Sequence, residues 1–296
     1  MQLTGRHMDS AVVLGRPDLS DPAGGRTARR AAVLGSPVSH SRSPDLHLAA
    51  YRALGLPDWS YERIECTAEQ LPALVDALDA EFVGLSVTMP GKLAALDHAD
   101  VSTERARLVG SANTLVRTAD GWRADCTDID GMLGALRALD VDAAQPTAVL
   151  VGAGGTALPT VAALAATGFE EITVVARDAA RARSVIELCD RLGIATTVLP
   201  FEPTPTLDER CRDAGVAVST VPASGAATVA TSVAHASRVV DVIYDPWPTP
   251  LAQAVTAAGG QVVGGLVMLL NQAFSQVEQF TGLPAPREAM TAALDP

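Results

Sequence analysis

The sequence predicts an α/β protein of two domains, the second of them built on a parallel sheet. Its 296 residues are enough for two domains of common size, and 48% of them are apolar, so a sizeable core can be buried. Only 4% are aromatic, which favours an α/β protein with small-residue helix packing over an all-β sandwich. After residue 30, short apolar runs alternate with segments of helical spacing.

The first half of the chain has a βαβ-type order. A short apolar run at 31–35 predicts a strand, and apolar residues at helical spacing predict a helix over 45–54. The pattern continues with a strand at 61–65, a helix over 68–78, a strand at 81–87, and a hairpin over 112–125 with Asp120-Gly121 as its turn.

A second alternating unit follows a linker at 142–146. A helix over 128–139 leads away from the first domain, and the apolar run at 147–151 opens the new unit. Further strands are predicted at 171–176, 195–200, 216–220, 239–244 and 261–265, with helices over 158–167, 179–192 and 266–281. Strands that alternate with helices of this length predict a parallel sheet.

These elements divide the chain into four segments. Residues 1–30 include a polar stretch rich in Gly and Arg, and we expect a flexible leader there. We expect a first α/β domain over 31–128 and a second domain over 129–265. The segment 266–296 should contain a helix that packs back on the first domain.

Composition argues against several classes of partner. The net charge is −12 and no basic stripe is present, so we expect no nucleic acid partner. No apolar run reaches the ~20 residues of a membrane helix. No cluster of His, Cys and Asp residues indicates a metal site. Scattered cysteines are typical of free thiols in a reducing cytoplasm; they are Cys66, Cys126, Cys189 and Cys211.

A glycine-rich turn joins the strand at 147–151 to the next helix. Gly152, Gly154 and Gly155 would let the backbone approach a pyrophosphate, and the helix start offers free N–H groups. A tight turn without a ligand stays the alternative, since a lone glycine-rich turn is a weak signal.

Charged residues after the next strand bear on the choice of dinucleotide. Arg177 and Arg181 lie one helical turn apart and can bracket a phosphate, which favours NADP. Asp178 lies between them and is the residue type that accepts a ribose hydroxyl of NAD, so NAD stays open. A plain surface arrangement of charges at a helix start stays open as well.

Two loops of the first half carry polar residues of catalytic type. In "GSPVSHSRSPDLH" (35–47), Ser41 and Ser43 lie two apart, so an extended backbone presents both to one side, as suits a carboxylate or polyol. By themselves these serines could equally be ordinary turn residues that bind no ligand and cap the helix. In "GLSVTMPGK" (84–92), Lys92 by itself would be a solvated lysine past a strand end.

Six motifs taken together change this interpretation. Six stretches of this sequence resemble, in order along the chain, the motifs of the shikimate dehydrogenase family. They are "GSPVSHSRSPDLH", "GLSVTMPGK", "GSANTL", "CTDIDG", "GAGGTA" and "GLVMLLNQA". The resemblance spans residues 31–283. It implies an enzyme with an N-terminal α/β substrate domain and a C-terminal Rossmann-type domain, which reduces 3-dehydroshikimate to shikimate with NADPH in aromatic amino-acid biosynthesis.

The resemblance also implies roles for individual residues. The catalytic pair would be Lys92 and Asp128. The substrate carboxylate would be held by Ser41 and Ser43 with Tyr244 nearby, and the ring hydroxyls by Thr88, Asn113 and Gln272. The cofactor pyrophosphate would lie on Gly152, Ala153, Gly154, Gly155, Thr156 and Ala157. The adenosine phosphate would lie on Arg177 and Arg181, and other positions near the cofactor would be Glu104, Val242 and Gly265.

The implied reaction requires a proton donor beside the carbonyl group. Hydride transfer to a ketone builds negative charge on its oxygen, which a positioned acid must neutralise. A lysine does this well when burial pulls its pKa from about 10.4 toward neutrality. Asp128 should oppose that shift, so we expect it mainly to orient Lys92 and to titrate together with it.

The sequence departs from the family pattern at four positions. Ser86 and Cys126 stand where the family usually has Asn, and Ala176 and Asp178 stand where Asn and Thr are usual. Two alternatives therefore stay open. One is an NAD-preferring quinate/shikimate dehydrogenase, and the other is a non-catalytic NADP-binding sensor. A homodimer is also open.

Overall fold

Two six-stranded sheets organise the chain in the computed structural model, which describes residues 28–142 and 144–294. The strands of the first sheet are β1 (Arg29–Gly35), β2 (Trp59–Glu65), β3 (Phe82–Val87), β4 (Val101–Ser102), β5 (Thr114–Thr118) and β6 (Gly121–Asp125). β1 pairs in parallel with β2 and β3, whereas β5 runs antiparallel to β3 and β6. The helices of this half are α1 (Ser43–Ala53), α2 (Leu71–Asp76), α3 (Lys92–His98), α4 (Glu104–Val109) and α5 (Asp128–Ala138).

The second sheet is parallel throughout, as the alternation of strands and helices predicts. Its strands are β7 (Thr147–Val151), β8 (Glu171–Ala176), β9 (Ala195–Pro200), β10 (Val216–Ser219), β11 (Arg238–Asp241) and β12 (Gln261–Gly264), in the spatial order β12-β11-β10-β7-β8-β9. The helices are α6 (Ala157–Thr167), α7 (Ala179–Leu192), α8 (Pro205–Asp213), α9 (Ala223–Val233), α10 (Pro250–Ala257), α11 (Gly265–Thr281) and α12 (Arg287–Ala292). The strand order reverses beside β7, where sheets of this type bind ligands.

The predicted fold is confirmed, with shifts at individual boundaries. β1 begins at Arg29, inside the segment that we assigned to a leader, and residues 1–27 of that segment lie outside the described residues. The hairpin is present, but its turn residues are Ala119 and Asp120. Gly121, with φ +113°, is the first residue of β6.

Several elements within the described ranges were not predicted. They are β4, α3, α4, α8, α9, α10 and α12. In α8 the buried residues are Leu207 and Cys211, which leaves too thin an apolar pattern to recognise. The buried face of α9 consists of Ala, Val and Ser side chains, which differ little in size and polarity from its exposed face.

Helix α11 joins the two halves of the fold. Phe274, Val277 and Phe280 pack in the same core as Val33 of the first sheet. Met268, nearer the start of the helix, packs in the core of the second sheet. The last long helix therefore packs on the first domain as expected, while the exact domain boundaries stay a prediction.

Helices α5 and α11 approach each other closely because glycines face the contact. A Cβ atom at Gly131 would lie 2.6 Å from the carbonyl oxygen of Met268, and one at Gly134 would overlap the side chain of Asn271. Larger residues at either position would push the helices apart. The close contact therefore depends on glycine at both positions, since glycine has no side chain.

Some features are absent from the described ranges, 28–142 and 144–294. No helix there is long and apolar enough to cross a bilayer. No group of three or more His, Cys, Asp or Glu side chains there could hold a metal ion. The cysteines are buried free thiols, namely Cys66, Cys126, Cys189 and Cys211.

Replacing Gly131 by Ala is expected to lower the free energy of unfolding by about 1–3 kcal/mol, because the added methyl group overpacks the α5–α11 contact. In an open helix position the same change stabilises by up to about 1 kcal/mol through helix propensity. Gly225 in α9 is the matched control, since its Cβ atom would make only an ordinary contact, 3.7 Å from Val221. Urea denaturation measures both variants, and stabilisation by Gly131→Ala would contradict the packing described.

Candidate active site

A cavity of about 280 Å³ lies where the two domains meet. The first domain lines it with β1, β3, the loops that follow them and the starts of α3 and α5. The second half of the chain lines it with the start of α6, the segment after β11, and α11. Of the site residues expected from the resemblance, the cavity brings together Ser41, Ser43, Thr88, Lys92, Asn113, Asp128, Thr156, Val242, Tyr244, Gly265 and Gln272.

An ion pair between Lys92 and Asp128 lies on the cavity wall. Lys92 Nζ donates a hydrogen bond of 2.5 Å to Asp128 Oδ2, and the two side chains are 17% and 4% exposed. Asp128 is the first residue of α5, where the helix terminus favours negative charge. Its Oδ1 accepts a second hydrogen bond, of 3.0 Å, from Asn113 Nδ2. The carboxylate is thus held from two sides.

The pKa of Lys92 is raised, so the lowered value that would suit an acid at neutral pH is not reached, and Asp128 opposes the effect of burial as expected. Burial is the largest single effect and lowers the pKa of Lys92. The charge and the hydrogen bond of Asp128 together outweigh it, with a further contribution from Cys126. The amine is therefore protonated at neutral pH.

A half-buried cluster of charges supports the backbone that carries Asp128. Arg105 of α4 donates to the two carboxylate oxygens of Asp125, at 2.7 and 2.5 Å, and to Asp130 at 2.8 Å. Asp125 ends β6 and Asp130 lies in the first turn of α5. Arg105 therefore ties the end of the strand to the start of the helix, on either side of Asp128.

The end of β2 holds the loop that carries Ser41. Glu65 accepts hydrogen bonds from Ser36 Oγ at 2.7 Å and from the Val38 N–H at 3.2 Å. Arg63 donates two hydrogen bonds to the carbonyl oxygen of Ser41, at 3.0 and 2.6 Å. The position of this hydroxyl-rich loop is therefore set by β2.

The two serines differ in how they meet the start of α1. The helix begins at Ser43 with Arg42 as its N-cap residue, which makes no side-chain capping hydrogen bond. The hydroxyl of Ser41 accepts a hydrogen bond of 3.3 Å from the Ser43 N–H, at the first residue of the helix. Ser43 is 5% exposed and lines the cavity. Its hydroxyl is therefore placed at the cavity and does not terminate the helix.

Asn113 makes hydrogen bonds within the cavity wall with both ends of its amide. Nδ2 donates to Asp128 Oδ1 and, at 2.7 Å, to Gln272 Oε1. Oδ1 accepts from the Thr127 N–H at 2.7 Å. The side chain thus orients Asp128 and Gln272 relative to each other.

Sequence reasoning missed Gln276, which also lines the cavity. Gln276 lies one helical turn after Gln272 on α11, so the spacing of a helix face could have found it.

Ser86 lines the cavity too. Cys126 instead lies in the core, where burial raises the pKa of its thiol to about 12. Of these two departures from the family pattern, Ser86 alone faces the cavity.

The glycine-rich turn between β7 and α6 has the backbone and the space that a phosphate group requires. Gly152 has φ +102°, a conformation that favours glycine. A Cβ atom at Gly154 or Gly155 would meet nothing within 4 Å, so the turn has an open side. Thr156, the N-cap residue of α6, makes no side-chain capping bond, which leaves N–H groups for an anion. These features fit the pyrophosphate of a dinucleotide.

Asp178 is the N-cap residue of α7, and its carboxylate contacts the helix start. Its Oδ1 accepts a hydrogen bond of 2.8 Å from the Arg181 N–H, and its Oδ2 lies 3.6 Å from Arg181 Nε. The Arg177 guanidinium lies 6.0 Å from the centre of the Phe201 ring. Both arginines are exposed. Two exposed guanidinium groups thus flank a carboxylate that already has partners.

Some of the residues expected near the cofactor lie outside the cavity wall. Ala153 and Ala157 pack in the core around α6. Glu104 is exposed at the start of α4, and the cavity does not reach it. Gly265 does lie in the wall, where a Cβ atom would overlap the carbonyl group of Val242.

Three family models match the chain. The model for the shikimate dehydrogenase substrate binding domain matches residues 33–115. The model for shikimate / quinate 5-dehydrogenase matches residues 134–241. The model for the shikimate 5'-dehydrogenase C-terminal domain matches residues 265–294.

Individual relatives match over nearly their whole length. Shikimate dehydrogenase (NADP(+)) of Microcystis aeruginosa is 34% identical over 280 residues, which cover 88% of this chain and 94% of the relative. The crystal structure of Mycobacterium tuberculosis shikimate dehydrogenase is 59% identical, with a TM-score of 0.85 over 90% of this chain and 98% of that one. Shikimate 5-dehydrogenase of Thermus thermophilus, in complex with NADP(H) and shikimate, is 30% identical, with a TM-score of 0.74 over 90% and 98%. The chain belongs to the shikimate dehydrogenase family.

Proposed function

We propose that this protein reduces 3-dehydroshikimate to shikimate with NADPH, reversibly, in the shikimate pathway of aromatic amino-acid biosynthesis. The observation that carries the proposal is the Lys92–Asp128 ion pair on the wall of a cavity between the two domains. Such a reaction needs a proton donor beside the substrate and a dinucleotide site within reach of it. The names of the relatives in this family support the same activity.

The polar groups of the cavity wall suit a ring that carries a carboxylate and several hydroxyls. Ser41, Ser43 and Tyr244 would hold the carboxylate. Burial raises the pKa of Tyr244, so its hydroxyl stays neutral and can donate to an anion. Thr88, Asn113 and Gln272 would bind the ring hydroxyls near Lys92.

The glycine-rich turn would hold the dinucleotide on the other side of the cavity. NADPH supplies the hydride when bound. Gly152 to Ala157 would carry the pyrophosphate, and Arg177 with Arg181 would hold the adenosine phosphate. Val242 and Gly265 would lie beside the nicotinamide half, and a contact with Glu104 stays a prediction.

Lys92 would give its proton to the oxygen of the substrate carbonyl as negative charge develops there. Its raised pKa keeps the ammonium form present across the neutral range. Asp128 would keep the ammonium in place and stabilise it until the proton moves. In the direction of oxidation the pair must take up a proton, so the oxidation rate should rise with pH as the ammonium form is lost.

The alternatives from the sequence have less support. Asp178 motivated an NAD-preferring quinate/shikimate dehydrogenase, but its carboxylate already pairs with the start of α7 and with Arg181. A sensor without turnover would not need the Lys92–Asp128 pair, which is formed. A homodimer stays a prediction.

Replacing Lys92 by Ala should lower the rate of shikimate oxidation by a factor of about 10²–10⁴, because the group that handles the proton is lost. Absorbance of the reduced nicotinamide measures the rate with NADP and with NAD, and calorimetry measures shikimate binding, which should be retained. Arg212→Ala, at an exposed residue of α8, is the control. Full activity of Lys92→Ala would contradict the role of the lysine, whereas a wild-type protein silent with both cofactors would contradict the proposed function.

Replacing Asp128 by Asn should bring the pKa of Lys92 below its usual value, because burial then acts without the opposing charge. Lys92 is the only lysine in the sequence, so protein labelled with nitrogen-15 lysine gives one side-chain signal whose titration reports this pKa. The rise of the oxidation rate with pH should move to lower pH in the same variant. Asp178→Asn is the control, and an unchanged pKa in Asp128→Asn would contradict the ion-pair account.

Replacing Arg177 or Arg181 by Ala should raise KM for NADP by about tenfold and leave KM for NAD nearly unchanged, because only NADP carries a 2′-phosphate on its adenosine ribose. Arg183→Ala, an exposed arginine of the same helix, is the control. An equal rise of KM for NADP and for NAD would mean that the 2′-phosphate of NADP binds elsewhere.

A further inference from the structure

We infer that Gln276 sets the hydrogen-bond polarity of Ser86, so that the cavity wall at Ser86 accepts a hydrogen bond and selects a ligand with a hydroxyl group there. The inference rests on the proposed function for the identity of the ligand. The polarity itself follows from the buried contacts of Gln276, His47 and Tyr61.

The orientation of the Gln276 amide is determined by its donor end. Nε2 donates to the carbonyl oxygen of Asn113 at 3.2 Å and to Thr114 Oγ1 at 3.0 Å. A backbone carbonyl can only accept a hydrogen bond, so the NH₂ group has to face it. Gln276 is 1% exposed, and rotating the amide by half a turn would set two oxygens against each other without water to relieve them. The amide oxygen therefore faces Ser86 and His47.

That amide oxygen takes the only proton of the Ser86 hydroxyl. Oε1 of Gln276 lies 2.9 Å from Ser86 Oγ and 3.3 Å from His47 Nε2. Since an amide oxygen cannot donate, both neighbours must donate to it. His47 is fully buried, and burial lowers its pKa to about 3, so it is neutral with its proton on Nε2. The proton of Ser86 accordingly points at Gln276 and away from the cavity.

Tyr61 occupies one of the two remaining positions on the Ser86 oxygen. Its hydroxyl donates to Ser86 Oγ at 2.6 Å. Burial raises the pKa of Tyr61, so the phenol keeps the proton that it donates. A serine oxygen has two lone pairs, and Tyr61 uses one of them. Because Ser86 lines the cavity, a ligand at this point meets the single lone pair that is left.

A ligand group beside Ser86 must therefore be a donor. A hydroxyl group can donate, whereas a fluorine, an ether or a ketone at the same place sets lone pair against lone pair. A buried site built to bond a hydroxyl rejects analogues that lack it, since its own polar group is then unpaired. Ser86 is thereby a specificity-determining residue, and Gln276 is a positioning residue that acts through it.

Two deoxyfluoro analogues of shikimate test this inference. In one the C4 hydroxyl is replaced by fluorine, and in the other the C5 hydroxyl. In the wild-type protein, KM for NADP-dependent oxidation should rise about tenfold or more for the analogue that lacks the hydroxyl beside Ser86. In Gln276→Met the proton of Ser86 is released and can turn toward the fluorine. The ratio of the two KM values, analogue over shikimate, should then fall by about fivefold or more.

Tyr61→Phe is the matched control. It also removes one buried hydrogen bond of Ser86, but the serine proton still goes to Gln276. Its ratio of KM values should stay within about twofold of the wild type. Ser86→Ala is a second test that does not depend on the folding of Gln276→Met, and it should lower the ratio as well. Thermal unfolding shows that each variant is folded.

Several outcomes would overturn the inference. Equal KM values for shikimate and both analogues in the wild type would do so, as would an unchanged ratio in Ser86→Ala. The inference would also be overturned if the ratio of KM values fell as far in Tyr61→Phe as in folded Gln276→Met. Failure of the wild type to oxidise shikimate would instead refute the proposed function. The same comparison would then be made with dissociation constants from calorimetry, on the same ligands and variants.

Discussion

The close approach of α5 and α11 is the constraint from which most of the site follows. Gly131 and Gly134 carry no side chain, so the two helices can meet where any larger residue would overlap its neighbour. The start of α5 presents Asp128, and α11 presents Gln272 and Gln276 to the same cavity. Because α11 also packs in the core of the first sheet, this single contact joins the two domains and builds a large part of the wall between them.

Local charges, not the overall charge, decide what this acidic protein can bind. The chain has a net charge of −12, yet the groups proposed to meet its anionic ligands are hydroxyls, helix N–H groups and arginines. Arg177 and Arg181 are exposed beside a carboxylate that is already engaged. Lys92 is held by Asp128 as an ammonium group, and the same ion pair raises its pKa. The arrangement suits the donation of a proton better than the acceptance of one.

The polar groups behind the cavity form a connected network, and this changes the meaning of one departure from the family pattern. Ser86 is shorter than the usual Asn, and taken alone it suggests a weakened site. In the structure it is bonded by Tyr61 and Gln276, and Gln276 in turn bonds the backbone of Asn113. Ser86 therefore has a hydrogen-bond partner on either side, although Nδ1 of His47, which adjoins Gln276, has none among the described residues. The serine is thus a supported part of the wall.

The sequence by itself determined the alternation of strands and helices and the glycine-rich turn, because periodicity and local motifs are properties of neighbouring residues. It placed Lys92 and Asp128 in one site only through the resemblance to a known family. It did not predict several helices, among them α8, in which only Leu207 and Cys211 are buried. Only the tertiary structure decided that the pKa of Lys92 rises, that Asp178 caps a helix, and that Gln276 controls the cavity wall. Each of these depends on distances between side chains, which the packing of the whole chain sets.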